Sequence, residues 1–199
     1  MDGPVVVVGS GIVGVSIALE LRERKAEVIL VAPDSDPVVG AMPTGSARLT
    51  AAFVEHDPPS WFEIDALRAE AKRLVEGLPA GHPERGVLVG GSSTNLCRVT
   101  PEEIVPGVPQ VLGLGRLERA FAVLATFTAA ELVAKRSVNL RRARILTAGA
   151  ALAEAVLIRY GLERLEVSDA SLREGAILAA WMAGDAWPDR LPQLVAGVP

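Results

Sequence analysis

The residues in this chain best suited to chemistry are glycine-rich bends that could hold an anion. Gly9-Ser10-Gly11-Ile12-Val13-Gly14 follows the β-branched run Val5 to Val8. Gly90-Gly91-Ser92-Ser93-Thr94 follows the short apolar run Val87 to Val89. Paired glycines let the backbone come close to a ligand and present its N–H groups, and the hydroxyls add donors. The first bend satisfies GxGxxG, which would place a pyrophosphate at a helix N-terminus. A tight turn that needs glycine for its backbone angles explains either bend without a ligand. Val167-Ser168-Asp169-Ala170-Ser171-Leu172-Arg173-Glu174-Gly175 reads as a strand, a polar turn and a helix start. Glu174 there complements the helix dipole, and that structural role suffices. Arg48 could pair with Asp57 or with a phosphate. These residues identify no catalytic acid, base or nucleophile, so the catalytic residues stay unassigned.

The elements that must position these bends follow from composition and pattern. The chain has 199 residues, enough for one domain with a real core. Half are apolar and 22% charged, which excludes a disordered chain. Aromatic residues make up 4%, so the core is built from Val, Leu, Ile and Ala. The net charge of −4 gives no sign of nucleic-acid binding. Arg141-Arg142-Ala143-Arg144 is the densest basic cluster and reads as a solvated helix start ahead of a phosphate-binding role. Cys97 is the lone cysteine, so no internal disulfide forms, which fits a reducing cytoplasm. His56 and His82 sit in Pro-flanked loops and form no metal-ligand pattern. The opening residues lack the basic region of a signal peptide, and no apolar run approaches a membrane span.

Strands are expected over Val5–Val8, Glu27–Val31, Val87–Val89 and Leu165–Val167. Residues 12–21 fit strand and helix patterns alike. Val38 to Thr50 contains an extended segment, interrupted at Pro43 and Gly45. Ser60 with Glu63 forms a capping box for a helix to about Glu76, ended by Gly77. Further helices are expected over Leu117–Thr126, Ala129–Arg136, Ala143–Tyr160 and Leu172–Met182. Gly90–Thr94 reads as a small-residue turn, and Pro101 to Pro109 as a loop.

Several ordered stretches share one resemblance: Met42-Pro43-Thr44-Gly45-Ser46-Ala47-Arg48-Leu49-Thr50, His56-Asp57-Pro58-Pro59, Val89–Thr94, Arg142-Ala143 with Ala148-Gly149-Ala150, and Ser168-Asp169 with Leu172–Gly175. Together they resemble the second lobe of the exopolyphosphatase / guanosine pentaphosphate phosphohydrolase (Ppx/GppA) family, over about residues 38–182. The resemblance implies an α/β, actin/hexokinase-like (ribonuclease H-like) lobe that binds phosphate or nucleotide, with Mg2+ as cofactor and polyphosphate or a guanosine nucleotide as substrate. Ser171 stands where the family has Gly, and Thr147 where it has Pro. The family's second phosphate loop, an Asp followed by glycines, falls near residues 9–14. Gly9 occupies the place of that metal-linked Asp, and only Gly11 fits the pattern. The first lobe, with its catalytic Glu, has no counterpart here. A phosphatase lobe of this kind is therefore expected to be inert or weakly active alone, because phosphoryl transfer depends on positioning and charge stabilisation.

Residues 4–34 resemble instead the FAD-binding start of D-amino-acid-oxidase-like flavoproteins. That likeness implies FAD as the alternative cofactor. Ala32 or Pro33 stands where an acidic ribose ligand is expected, and Asp34 is the nearest carboxylate. The expected organisation is a glycine-loop segment over 1–37, either strand–loop–strand or βαβ, a phosphatase-like lobe over 38–185, and an irregular tail over 186–199. Anion binding falls to Gly9, Ser10, Gly11, Gly14, Gly90, Gly91, Ser92, Ser93 and Thr94. Arg48, Asp57, Arg173 and Glu174 are candidates for structural or phosphate ion pairs. The alternatives are an FAD-dependent oxidoreductase fragment and a non-catalytic dimerisation module. A homodimer, or a partner supplying the missing lobe, suits the exposed face.

Overall fold

The computed structural model describes residues 5–9, 26–32, 35–102, 104, 108–168, 172–187 and 190. Six strands form one sheet: β1 Val5–Gly9, β2 Ala26–Ala32, β3 Ser35–Met42, β4 Arg85–Val89, β5 Gln110–Gly113 and β6 Arg164–Ser168, in the order β3-β2-β1-β4-β6-β5. β1 runs antiparallel to β2, with Val5 opposite Val31 and Gly9 opposite Glu27. β1 runs parallel to β4, and β4 parallel to β6. A single βαβ crossover joins parallel strands. β1 and β2 are therefore not the parallel strands of a single βαβ unit. Whether residues 12–21 are helix or strand lies outside the described residues. β3 crosses the boundary expected near residue 37, and it pairs antiparallel with β2.

Eight helices are described: α1 Ser46–Phe53, α2 Trp61–Glu76, α3 Gly91–Val99, α4 Leu114–Leu124, α5 Ala129–Arg136, α6 Leu140–Ala143, α7 Leu146–Tyr160 and α8 Leu172–Ala183. α7 is the centre of the core. It is apolar nearly all round, as a helix enclosed by its neighbours should be. Its Ala148, Ala150, Ala151, Leu152, Val156 and Leu157 are buried, and α1, α2, α3 and α4 all pack on it. Gly161 ends it at φ 65°, a left-handed turn that glycine adopts without steric cost. Side chains such as Ile64, Leu67, Phe121 and Leu146 are fully buried. Each contributes about 1.5–3 kcal/mol relative to exposure.

One polar clamp joins three of these helices. Arg68 on α2 donates Nε to Glu154 Oε2 (2.7 Å) and Nη2 to Glu154 Oε1 (2.6 Å) on α7. Its Nη2 also reaches Glu118 Oε1 on α4 at 2.6 Å. These carboxylates push the Arg68 guanidinium further toward its charged form.

The sequence-based expectation fails locally in three places. Val38 to Thr50 holds the extended segment but also a helix that the pattern did not suggest. β3 stops at Met42, Gly45 is extended (φ −125°), and α1 begins at Ser46 with Leu49 buried in the core. Gly91–Thr94 is not a free turn but the first turn of α3. The long helix from Ala143 is broken: Ile145 leaves helical geometry (φ −106°, ψ 3°), which separates α6 from α7. β5 carried no signal beyond the β-branched Val111.

Candidate functional site

The parallel strands β1, β4 and β6 bring their carboxyl ends, Gly9, Val89 and Ser168, to one edge of the sheet. Gly9 stands in register with Val89, and Val89 with Ser168. Neighbouring strands lie about 4.8 Å apart, so the three strand ends span roughly 10 Å, the width of a phosphate group or two. Ligands of open α/β sheets bind outside the carboxyl ends of such strands. Gly9, Gly90–Thr94 and Ser168 thus come to one edge, a meeting the sequence did not announce. Ser10, Gly11, Gly14, Asp169 and Ser171 lie outside the described residues. Arg173 and Glu174 occupy the first turn of α8, and their side chains also lie outside the described set.

Gly90 is the pivot of this edge. Its φ of 99° and ψ of 174° belong to a region essentially restricted to glycine. That bend turns β4 directly into α3. α3 opens without a side-chain cap, and the first N–H groups of a helix have no intrahelical partner. The small side chains fold back on the helix's own carbonyls. Ser93 Oγ donates to Gly90 O, Asn95 Nδ2 to Gly91 O, and Thr94 Oγ1 to Gly91 O (3.5 Å). Ser92 Oγ and Asn95 Oδ1 are buried and have no hydrogen-bond partner among the described residues. Buried polar atoms are rarely left so, which marks this turn as unusual.

Arg142 completes the edge from α6. A Cβ on Gly91 would stand 3.2 Å from Arg142 Cζ and 3.3 Å from its Nε, so glycine is what lets the guanidinium pack against this backbone. Among the described residues no carboxylate pairs with Arg142. Gly149 plays a similar spatial role on α7, where a Cβ would meet Ser92 Cβ at 3.4 Å. Sequence reasoning took Arg142 as a solvated helix start and passed over Asn95. The available signal for Arg142 was the break between Ala143 and the Ala148-Gly149-Ala150 trio, which sets the guanidinium on a corner rather than on a helix face. Backbone N–H groups, hydroxyls and a planar cation converge here, a set suited to a phosphoryl oxygen.

The His56–Pro59 stretch is organised differently. Glu63, buried at the start of α2, accepts from the N–H groups of Glu55 (2.6 Å), His56 (3.1 Å) and Ser60 (2.7 Å), and from Ser60 Oγ (2.8 Å). It also bonds His56 Nδ1 at 3.0 Å. Burial alone would raise the Glu63 carboxyl. The Glu55 and Ser60 N–H groups, the Ser60 hydroxyl and His56 outweigh it and hold the carboxyl far below the usual carboxylate range. The same bond to Glu63, and then its charge, raises the His56 pKa. Asp57 Oδ1 accepts from Ala129 N–H (2.8 Å) and so caps α5. Arg48 Nη1 lies 3.5 Å from Pro43 O. A cavity of about 330 Å³ opens beside this loop, bordered by Thr50, His56, Asp57, Arg144 and Thr147. Among the described residues no group of three His, Cys, Asp or Glu could hold a metal ion. No described helix is long and apolar enough to cross a membrane.

Comparison with known proteins gives two signals. Exopolyphosphatase 1 of Mycobacterium tuberculosis (strain H37Rv) is 32% identical over 154 residues, covering 73% of this chain and 45% of the relative. Among solved structures, the Aquifex aeolicus PPX-GPPA enzyme superposes with a TM-score of 0.72 at 24% identity, over 89% of this chain and 57% of that one. An exopolyphosphatase from Cytophaga hutchinsonii gives 0.71 at 19% identity, over 92% and 58%. At these identities the structures establish the actin-like fold. The chain spans about half the length of the curated relatives it matches. The FAD dependent oxidoreductase family model matches residues 4–187. The two signals disagree, and the sheet separates them. The dinucleotide fingerprint needs a parallel βαβ unit, whereas β1 and β2 are antiparallel neighbours.

Proposed function

Because the chain belongs to the Ppx/GppA family in fold and in its curated relatives, and to the FAD dependent oxidoreductase family only through its match to that family's model, we propose that it is a phosphatase-type lobe holding a terminal phosphate of polyphosphate or of a guanosine nucleotide. One observation carries this reading. The Arg142 guanidinium, which has no carboxylate partner among the described residues, packs on Gly91, at the uncapped start of α3, on the carboxyl edge of three parallel strands. The N–H groups of the first α3 turn and the guanidinium would share the phosphate oxygens by charge-assisted hydrogen bonds. Gly9 adds close backbone approach from the neighbouring strand.

Among the described residues, the groups that meet at this edge are N–H, hydroxyl and guanidinium, and none is a carboxylate. Such an edge binds an anion but does not by itself orient water for attack. We place magnesium on the phosphate oxygens rather than on protein ligands, since this donor set does not form a magnesium site. Hydrolysis would then rest on a second lobe, on the same polypeptide or on a partner, a second copy included. The test is calorimetric titration of the 199-residue chain with tripolyphosphate, with and without magnesium, beside a phosphate-release assay. Saturable binding with little release supports the reading. A co-purifying flavin with no phosphate binding supports the oxidoreductase alternative.

A further inference from the structure

The cavity of about 330 Å³ beside the His56–Pro59 stretch shares no lining residue with the Gly90–Thr94 edge or with Arg142. Cavities that take small ligands run from about 300 to 1,000 Å³, and most are apolar with a few placed polar groups. The apolar lining here includes Leu124 and Leu132, both 2% exposed, and Phe127. One side is cationic. α7 starts at Leu146 without a side-chain cap, and Gly149 N–H is the first to bond back, to Ile145 O at 3.1 Å. The N–H groups of Leu146, Thr147 and Ala148 therefore have no acceptor among the described residues. Thr147 lines the cavity from that first turn and is 3% exposed. A helical threonine can satisfy its hydroxyl on the carbonyl one turn back, yet this hydroxyl has no hydrogen-bond partner among the described residues. Proline, which the Ppx/GppA family has at this position, carries neither that hydroxyl nor the N–H. Arg144 completes this side, exposed and with no ion pair among the described residues. The loop side carries acids. Asp57 Oδ1 accepts from Ala129 N–H, but among the described residues neither Asp57 Oδ2 nor the Glu55 carboxylate takes a hydrogen bond. His56 Nδ1 is held by Glu63. Arg144 and the two carboxylates border one cavity, and no salt bridge among the described residues joins them.

We propose that this cavity is a second binding site, for a free α-amino acid with an aliphatic side chain. The amino-acid carboxylate meets the α7 N–H groups, the Thr147 hydroxyl and the Arg144 guanidinium, a set that holds an anion by charge-assisted hydrogen bonds. The ammonium meets Asp57 Oδ2 and Glu55. The side chain lies on Leu124, Phe127 and Leu132. Both ligand charges are then paired, as burial requires. A phosphate would meet the same cations but would face the two carboxylates and leave the apolar lining unused. The site shares no residue with the phosphate edge, so it stands or falls apart from the proposed function.

The test titrates the intact 15N-labelled chain with L-leucine, read by calorimetry and by amide shifts. The expected result is saturable binding with shifts centred on Leu146, Thr147 and Ala148. 4-Methylpentanoate lacks the ammonium and 3-methylbutylamine lacks the carboxylate, and each should bind about tenfold more weakly or worse. Arg144→Gln, at an exposed side chain, should weaken L-leucine by about tenfold or more, and the near-isosteric Thr147→Val by about three- to tenfold. Tripolyphosphate affinity should stay within about twofold in both variants, which also shows that they are folded. No saturable response to L-leucine up to about 10 mM overturns the proposal, as does L-leucine affinity unaltered in both variants. 4-Methylpentanoate that binds as tightly as L-leucine overturns the assignment to amino acids. Tripolyphosphate affinity that falls in parallel with that of L-leucine makes the two places one and overturns the separate site.

Discussion

Replacing Gly91 by alanine separates a binding role of the α3 start from a structural one. The new Cβ would stand 3.2 Å from Arg142 Cζ, 3.3 Å from Nε and 3.4 Å from Nη2. That is a few tenths of an ångström inside ordinary contact, and the obstructing atoms are the far end of a flexible side chain. The guanidinium yields by leaving its rotamer, at about 0.5–1.5 kcal/mol. Alanine in a helix is favoured over glycine by about 0.5–1 kcal/mol, which offsets much of this. Folding stability should therefore change by less than about 1 kcal/mol. Anion affinity should not escape so lightly. The variant displaces a cation from the phosphate and crowds the N–H groups that face it. Losing one charge-assisted hydrogen bond is worth about 1.5–3 kcal/mol, or roughly a ten- to hundredfold weaker Kd. Thermal unfolding and calorimetric titration with tripolyphosphate read the two effects separately. An unaltered Kd in a stably folded Gly91→Ala protein would refute the reasoning, because the contact on which it rests would then be irrelevant to the ligand.

Three further perturbations probe the frame of the site. Gly90→Ala forces a side chain into φ 99° and should cost about 1–3 kcal/mol of stability as well as binding, seen as a fall in denaturation midpoint. Glu63→Gln replaces a carboxylate that accepts several short bonds and should destabilise by about 2–4 kcal/mol near neutral pH. The Glu63 pKa is depressed in the fold, so its contribution is complete above the ordinary carboxylate value of about 4.3 and is lost as pH falls toward the folded value. The gap between wild type and variant should accordingly narrow in acid denaturation curves below about pH 4, and a constant gap would contradict the assignment. Arg68→Met strands the buried Glu154 carboxylate and should cost about 3–5 kcal/mol in urea unfolding. Adding Glu154→Gln should recover part of the loss.

The legible parts of this fold were those fixed by local chemistry. The Ser60/Glu63 capping box forms as its spacing predicts, and α2 ends at Glu76 before Gly77. α5 spans Ala129–Arg136, and Gly161 closes α7, for the same local reasons. The bend at Gly90 was legible as a bend, but the meeting of the strand ends at one edge was not. It depends on the register that sets Gly9 beside Val89 and Val89 beside Ser168, a relation between segments some 80 residues apart. Arg142 does stand at a helix start, but half-buried, and a charge run looks alike on any exposed helix. Only the kink at Ile145 and the missing Cβ of Gly91 turn its guanidinium toward the edge. Asp57 followed the converse course, since a carboxylate open to several pairings in sequence is bonded in the fold to the Ala129 N–H.

The most direct test follows the backbone amides while tripolyphosphate is added to the intact 15N-labelled chain. Saturable shifts centred on the amides of Gly91, Ser92 and Ser93, together with the Arg142 side-chain Nε–H resonance, are the expected result. Tripolyphosphate that leaves those resonances unmoved, or a saturable response confined to another part of the molecule, would contradict the phosphate edge.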